Sequence, residues 1–281
     1  MLEIGRDKVE DLFELSAGIS IATKLEHVIS YDFEFRKYFR VNTIFGGTKS
    51  NLILRIGAIH DYEKVYNYFA ELGLNLINTV EEHNKISLLP NWYKEIQGLT
   101  PMSRVFENIP TYNQIKEDFE FPIFIKGERQ TNKHRKELCI AENRDDFEKI
   151  SSIWKTDPIL NWQKMIVREF VDLIPIEEEI VGQIKKAFEV RAFVWYGNVI
   201  SFGQYWDSKN RIQIDESDER KIKEFTQFVY KRLLVPFMVI DFAKKSTNEW
   251  IIIELNDAQE SGYAMNPKIN LWTKLIEIGI Q

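Results

Sequence analysis

The chain has 281 residues, 44% apolar and 28% charged, the composition of a globular protein with room for one large domain or two ordinary ones. Its formal charge of −6 excludes general nucleic-acid binding, which relies on a basic footprint. A single cysteine, Cys139, excludes an internal disulfide and any multi-cysteine metal site, and no apolar run is long enough to span a bilayer.

The charged start, Met1-Leu-Glu-Ile-Gly-Arg-Asp-Lys, predicts no signal peptide and a cytoplasmic protein. The first forty residues read as mostly helical, with Val9, Leu12, Phe13 and Leu15 on one stripe, then Leu25, Val28 and Ile29. Phe33, Phe35, Tyr38 and Phe39 form an aromatic cluster suited to a core. Gly46-Gly47 breaks the pattern, and Asn51 to Ile59 reads as a buried strand. Asp61 caps a predicted helix from Tyr62 to Leu72, which Gly73 ends. Leu74 to Asn78 is a second strand, and Thr79-x-x-Glu82 is a capping box opening another helix. This order predicts a βαβ unit with parallel strands. Pro90, Gly98, Pro101 and Pro110 punctuate the connection beyond that helix, and a domain boundary falls near 110–120.

Phe121-Pro-Ile-Phe-Ile-Lys126 is a short apolar strand ending on a lysine. The polar loop after it carries Arg129, Lys133, Arg135 and Lys136, and the chain returns as a strand over Leu138 to Ala141. Such a loop either folds over a polyphosphate, whose charge its cations offset, or is a solvated hairpin tip. Asn143 caps a helix from Arg144 to Trp154. Met165 to Leu173 is an apolar strand interrupted by Arg168, Glu169 and Asp172. A strand from Ala187 to Tyr196 turns at Gly197-Asn198 into a partner over Val199 to Tyr205, with Glu189, Arg191 and Phe193 on one face. Glu189 and Arg191 alone read as an exposed ion pair. A helix runs from Asp218 to about Leu233, and a last one spans Leu271 to Ile278.

The chemistry concentrates in Phe237-Met-Val-Ile-Asp241 and Ile251-Ile-Ile-Glu254-Leu-Asn256, a predicted β-hairpin. With its turn centred between Thr247 and Asn248, Ser246 faces Glu249 and Asp241 faces Glu254; alternation puts Asn256 on the face of Glu254. Opposed like charges destabilise a strand pair and call for a cation. Two carboxylates and an amide carbonyl are hard ligands suited to Mg²⁺. The competing reading is a hairpin whose polar groups face solvent. His27, His60, His83 and His134 lack metal-ligand spacing and read as surface or packing residues. No Walker loop, dinucleotide fingerprint or nucleophile elbow is present.

Over roughly residues 50–280 this order resembles the ATP-grasp superfamily: a βαβ unit, a strand ending in lysine under a loop, a hinge strand, a Glu-bearing strand, then Asp241…Glu254-x-Asn256. Glu189-Val-Arg191-Ala-Phe-Val and Ile200-Ser-Phe-Gly-Gln204-Tyr-Trp-Asp207 resemble one divergent clade, which contains the cell-division-cycle-type translation-initiation-factor assembly protein with bacterial and phage relatives. The resemblance implies an α/β to α+β fold, two α+β lobes enclosing a nucleotide cleft after an N-terminal lobe. The expected division is 1–120 for that lobe and 121–281 for the ATP-grasp domain, split into a small lobe (121–165) and a large lobe (166–281).

It further implies roles for named residues. Lys126 meets the α- and β-phosphates of ATP, and Lys133 or its loop neighbours the β/γ end. Glu169, Phe170 and Val171 meet the adenine, and Asp172 or Glu189 the ribose. Arg191 points at the γ-phosphate or an acyl-phosphate, and Asp241, Glu254 and Asn256 hold Mg²⁺. The basic loop departs from the glycine- and serine-rich loop of typical ligases, so side chains rather than backbone amides are expected to grip phosphate. Three uses of ATP are then open: a carboxylate–amine ligase acting on small molecules, a protein or a peptide; a non-catalytic assembly factor for a protein partner; or an interaction module that has lost ATP.

Overall fold

In this computed structural model the described residues are 51–55, 57, 61–129, 135–178 and 182–278. The expectations for the first forty residues, and for Lys133, lie outside them. Strands β1 (Asn51–Leu52) and β2 (Asn75–Leu76) pair in parallel through Leu52 and Leu76. Between them runs α1 (Tyr62–Glu71), capped as expected by Asp61, whose side chain accepts from the Lys64 amide at 3.0 Å. Tyr62, Val65 and Phe69, spaced three and four apart, form its buried stripe. The capping box at Thr79 forms in both directions and opens α2 (Val80–Ser87). A short helix α3 (Leu89–Tyr93) follows.

Two four-stranded antiparallel sheets carry the rest. The smaller has the order β3-β6-β4-β5, with β3 Ser103–Phe106, β4 Ile123–Gly127, β5 Ile140–Ala141 and β6 Met165–Glu169. Helices α4 (Tyr112–Ile115) and α5 (Arg144–Trp154) cover its outer face, burying Ile123, Ile125 and Val167 against Phe147, Ile150 and Trp154. The larger has the order β10-β9-β7-β8, with β7 Glu189–Trp195, β8 Asn198–Gln204, β9 Phe237–Lys244 and β10 Trp250–Asp257. The sheets do not follow the expected division of the chain. β3 lies before residue 120 and β6 at the 165/166 step, yet both belong to the smaller sheet, because Ser103 pairs with Arg168 and Phe124 with the same residue.

Both faces of the larger sheet are covered. Phe193, Trp195, Phe237 and Val239 pack on Leu52, Leu54, Phe69 and the C-terminal helix α7 (Lys268–Ile278). Ala192, Val194, Ile240 and Phe242 pack on Trp92, Ile96 and α6 (Glu216–Leu233). Burial on both faces explains why β7 and β9 read as nearly unbroken apolar runs. No helix among the described residues is long and apolar enough to cross a membrane.

Several boundaries differ from expectation; β1 stops at Leu52, β6 ends at Glu169 rather than Leu173, and α7 starts at Lys268 rather than Leu271. The β7–β8 turn is Tyr196-Gly197, with φ of +44° and +77°, and Asn198 already pairs with Trp195. Two positive φ angles make the tight turn whose twist matches the flanking strands, and glycine supplies one at no steric cost. Helix α6 starts at Glu216 because Asp215, not Asp218, is the cap and accepts from the Asp218 amide at 2.8 Å. Lys136–Leu138 is a 3₁₀ turn, so only Ile140 and Ala141 return as a strand.

Candidate functional site

The β9–β10 hairpin brings the two carboxylates together by an unexpected route. Its loop is Ser246–Asn248: the Lys245 amide donates to Glu249 O at 2.8 Å, and Asn248 takes φ +71°. Lys245, not Ser246, therefore faces Glu249, and Lys244, Ala243 and Phe242 face Trp250, Ile251 and Ile252. The expected turn register was one residue out. A β-bulge between Ile252 and Glu254 absorbs that residue, and Glu254 lands opposite Asp241 as expected. Asn256 pairs with Val239 and so shares the face of Glu254.

Each carboxylate is neutralised by a cation from another strand. Arg191 faces Asp241 across β7 and β9 and holds it with two parallel bonds, Nε to Oδ1 at 2.8 Å and a terminal nitrogen to Oδ2 at 2.7 Å. Its other terminal nitrogen donates to Gly262 O at 2.9 Å, and the guanidinium lies over the Tyr205 ring. Burial works to lower the Arg191 pKa, but the Asp241 carboxylate outweighs it and holds the group well above its ordinary value. Lys126, at the end of β4, crosses from the smaller sheet to bond Glu254 Oε1. The Lys126 side chain is 4% exposed and that of Glu254 18%.

A cleft between the two sheets collects six of the expected residues: Lys126, Glu169, Phe170, Val171, Glu189 and Glu254. Phe124, Ile140, Leu173 and Ile184 make much of its wall apolar. Glu169 accepts from the Met102 amide at 3.0 Å, and Phe170 is 41% exposed. Glu189 is buried and accepts from Trp206 Nε1 at 2.7 Å. Asp172 is turned elsewhere, accepting from the Ser246 hydroxyl at 2.6 Å in the hairpin loop. Among the described residues, no three His, Cys, Asp or Glu side chains gather as metal ligands. The donor set at the hairpin is two carboxylates with an amide on the same face, and it fits a small hard cation that shares its ligands with phosphate.

Lys136, one of the cations expected to meet phosphate, lines the same cleft, as do Arg168, Lys185 and Trp206, to which sequence reasoning gave no role. Arg168 is the most buried of these, 3% exposed, and burial pushes its pKa down to about 10. Its signal was a charge inside the run Met-Ile-Val-Arg-Glu, on the face opposite Val167. A second polar cluster also went unread. His83, expected at a surface or packed, is buried, stacks on Tyr62 at 3.8 Å and bonds Asp257 at 3.0 Å. Arg129 bonds Glu260 at 2.5 Å beside it, and burial raises the Glu260 pKa against the pull of Arg129. This cluster ties the βαβ unit and the start of the basic loop to the segment after β10.

The site and sheets define an ATP-grasp fold. Residues 111–275 match the model of an ATP-grasp domain family, the third family of its clade, and the chain belongs to that family. This bears out the expected superfamily and its divergent clade. Among solved structures, a RimK-domain ATP-grasp protein from Sphaerobacter thermophilus is 12% identical, with 83% of each chain covered and a TM-score of 0.56. The ADP complex of N5-carboxyaminoimidazole ribonucleotide synthetase is 12% identical, covering 68% of this chain and 50% of that one, at a TM-score of 0.50. Cdc123 from Schizosaccharomyces pombe is 14% identical, covering 64% and 86%, at 0.48. At such identities the likeness is one of fold. No curated protein matches the sequence.

Proposed function

We propose that the protein is a Mg-ATP-dependent carboxylate–amine ligase, joining the two substrates through an acyl-phosphate with release of ADP and phosphate. The observation that carries this is the neutral quartet Asp241, Glu254, Arg191 and Lys126, of which Lys126 and Glu254 line the cleft and Asp241 with Arg191 lie beside Glu254 in the larger sheet. Opposed carboxylates would repel without compensation. Here both counter-ions are groups able to bond phosphate, so carboxylate pairs can be exchanged for phosphate pairs once a divalent cation takes over the acids.

Bound Mg-ATP would supply the activated phosphoryl group, and the chain's work is positioning and charge neutralisation. Asp241, Glu254 and Asn256 would hold the metal, and Lys126 and Lys133 would meet phosphate. Glu169, Phe170 and Val171 would flank the base. Glu189 suits the ribose better than Asp172, because it lines the cleft while Asp172 is bound to Ser246. Arg191 would turn toward the transferred group. The acceptor and donor are of open size, small molecule or peptide.

Thermal unfolding with and without Mg-ATP is the first test. Ligand at about 100 times Kd stabilises the folded state by roughly 2.7 kcal/mol. No shift with any nucleoside triphosphate under several metals would overturn the reading. Turnover is tested with pooled amino acids and peptides: substrate-stimulated ADP and phosphate support the ligase, and AMP with pyrophosphate exclude the acyl-phosphate route. One observation favours a second reading, an ATP-binding assembly factor for a protein partner. All three Arg191 nitrogens are engaged, two by Asp241 and one by Gly262. Binding without turnover would select that reading.

A further inference from the structure

The bulge at Ile253 decides which face Glu254 occupies. Before it, facing residues run Lys244 with Trp250, Ala243 with Ile251 and Phe242 with Ile252. Continued without the bulge, that register would set Ile253 opposite Asp241 and Glu254 opposite Ile240. A one-residue slip moves every following side chain to the other face. Glu254 would then enter the apolar layer of Ile240 and Phe242 under α6, and both its opposition to Asp241 and its place in the cleft wall would be lost. Nothing local encodes the irregularity, since it falls in the run Ile251-Ile252-Ile253 with no glycine.

β10 is an edge strand, so its outer backbone groups need partners from outside the sheet. Two are supplied at the bulge. The Ile252 amide donates to Leu99 O at 2.8 Å, and Arg168 donates from a terminal nitrogen to Ile253 O at 2.9 Å. Arg168 comes from β6 of the other sheet. Its Nε donates to the Ser103 hydroxyl at 3.0 Å and its second terminal nitrogen to the Thr100 hydroxyl at 2.7 Å. Each nitrogen thus serves a different residue, and only a planar fork of fixed donors spans all three.

We propose that Arg168 is a positioning residue: it fixes the bulge at Ile253 and so keeps Glu254 opposite Asp241 on the cleft face. Its partners are a backbone carbonyl and two hydroxyls rather than a carboxylate. A buried cation so placed is costly, and a packing requirement alone would be met by an apolar side chain. The proposal rests on reading Asp241 and Glu254 as metal ligands only for its functional consequence. The register claim stands on the hydrogen bonds.

The test compares wild type with Arg168→Met, Arg168→Lys and Thr100→Val by two measurements. Calorimetric titration gives ATP affinity with Mg²⁺ and in EDTA. Groups that orient a metal ligand typically change metal affinity by about 10–100-fold. The gain from Mg²⁺ is expected to fall at least about tenfold in both Arg168 variants, and ATP affinity in EDTA by a much smaller factor. Amide hydrogen exchange, without nucleotide, is expected to quicken at Ile252 to Glu254 while β7 and the outer half of β9 keep their protection. Thr100→Val leaves the fork in place with one anchor fewer and shifts both readouts less, which covers an Arg168→Met that does not fold.

Three results would overturn the proposal. They are full rescue by Arg168→Lys, equal loss of ATP affinity with and without Mg²⁺, and wild-type exchange at the bulge in the Arg168 variants. The second of these would make Arg168 a phosphate ligand. If wild type itself shows no Mg²⁺-dependent binding, the nucleotide reading falls, and exchange alone decides whether Arg168 sets the register.

Discussion

The two sheets face one cleft and solve opposite problems. In the larger, β7 and β8 have seven residues each and β9 and β10 eight, and helices or the βαβ unit cover both faces. In the smaller, strands have two to five residues; a large apolar cluster packs its outer face, and a small one of Leu138, Cys139 and Ile140 with Phe124 and Ile184 reaches the cleft. Its inner face presents Phe124, Lys126 and Arg168 to the cleft. Within the larger sheet Arg191 and Asp241 close a charged pair, while Glu254, 18% exposed at the cleft, is met by Lys126 from the smaller sheet. The smaller sheet presents Lys126 to the rim of the cleft, where its partner Glu254 rather than the lysine keeps the solvent contact. The difference separates a pair closed inside one sheet from a pair that bridges the two sheets at the cleft.

Breaking the closed pair is expected to have the largest effect. Asp241→Ala leaves Arg191 buried without its carboxylate, at a cost of about 3–5 kcal/mol measured by urea unfolding. Metal-dependent nucleotide binding should vanish with it. Lys126→Ala is the counterpart on the rim. Glu254 keeps some solvent contact, so roughly 1–2 kcal/mol is expected, with weakened nucleotide binding as the main loss. Equal destabilisation by the two substitutions would erase the contrast between the two pairs.

A smaller effect sharpens the comparison through pH. Burial pushes the Asp218 carboxyl up, but bonds from Lys244 and Trp250 pull it below its ordinary value. A carboxyl depressed on folding adds stability that is complete above its unfolded pKa and lost as pH falls through the folded value. Acid unfolding of wild type and Asp218→Asn should differ most near neutrality and converge at low pH. A constant gap would remove ionisation from the account. The smallest effect is a gain. Leu234 ends α6 with φ +55° and is 60% exposed, so its left-handed backbone costs energy with little burial in return. Leu234→Gly is expected to stabilise by about 0.5–1 kcal/mol, read as a rise in Tm.

Features set by neighbours along the chain were legible without coordinates. Asp61, Thr79 and Asn143 cap their helices because a cap needs only an acceptor placed two or three residues before an amide. Strand alternation was equally local, and it placed Glu189, Arg191 and Phe193 on one face and joined Asn256 to Glu254. The opposition of Asp241 and Glu254 came out right for a reason no local pattern contained. A turn one residue away from expectation and a bulge at Ile253 cancel, and the bulge depends on Leu99 and Arg168, brought in from elsewhere in the fold. Partner choice for buried charge was likewise beyond the chain's local pattern. Whether Arg191 meets Asp241, or His83 meets Asp257 174 positions away, depends on which strand and helix close beside it. Desolvation then makes the pairing obligatory, because a buried charge costs far more unpaired than paired, and that cost exists only once the sheets have assembled.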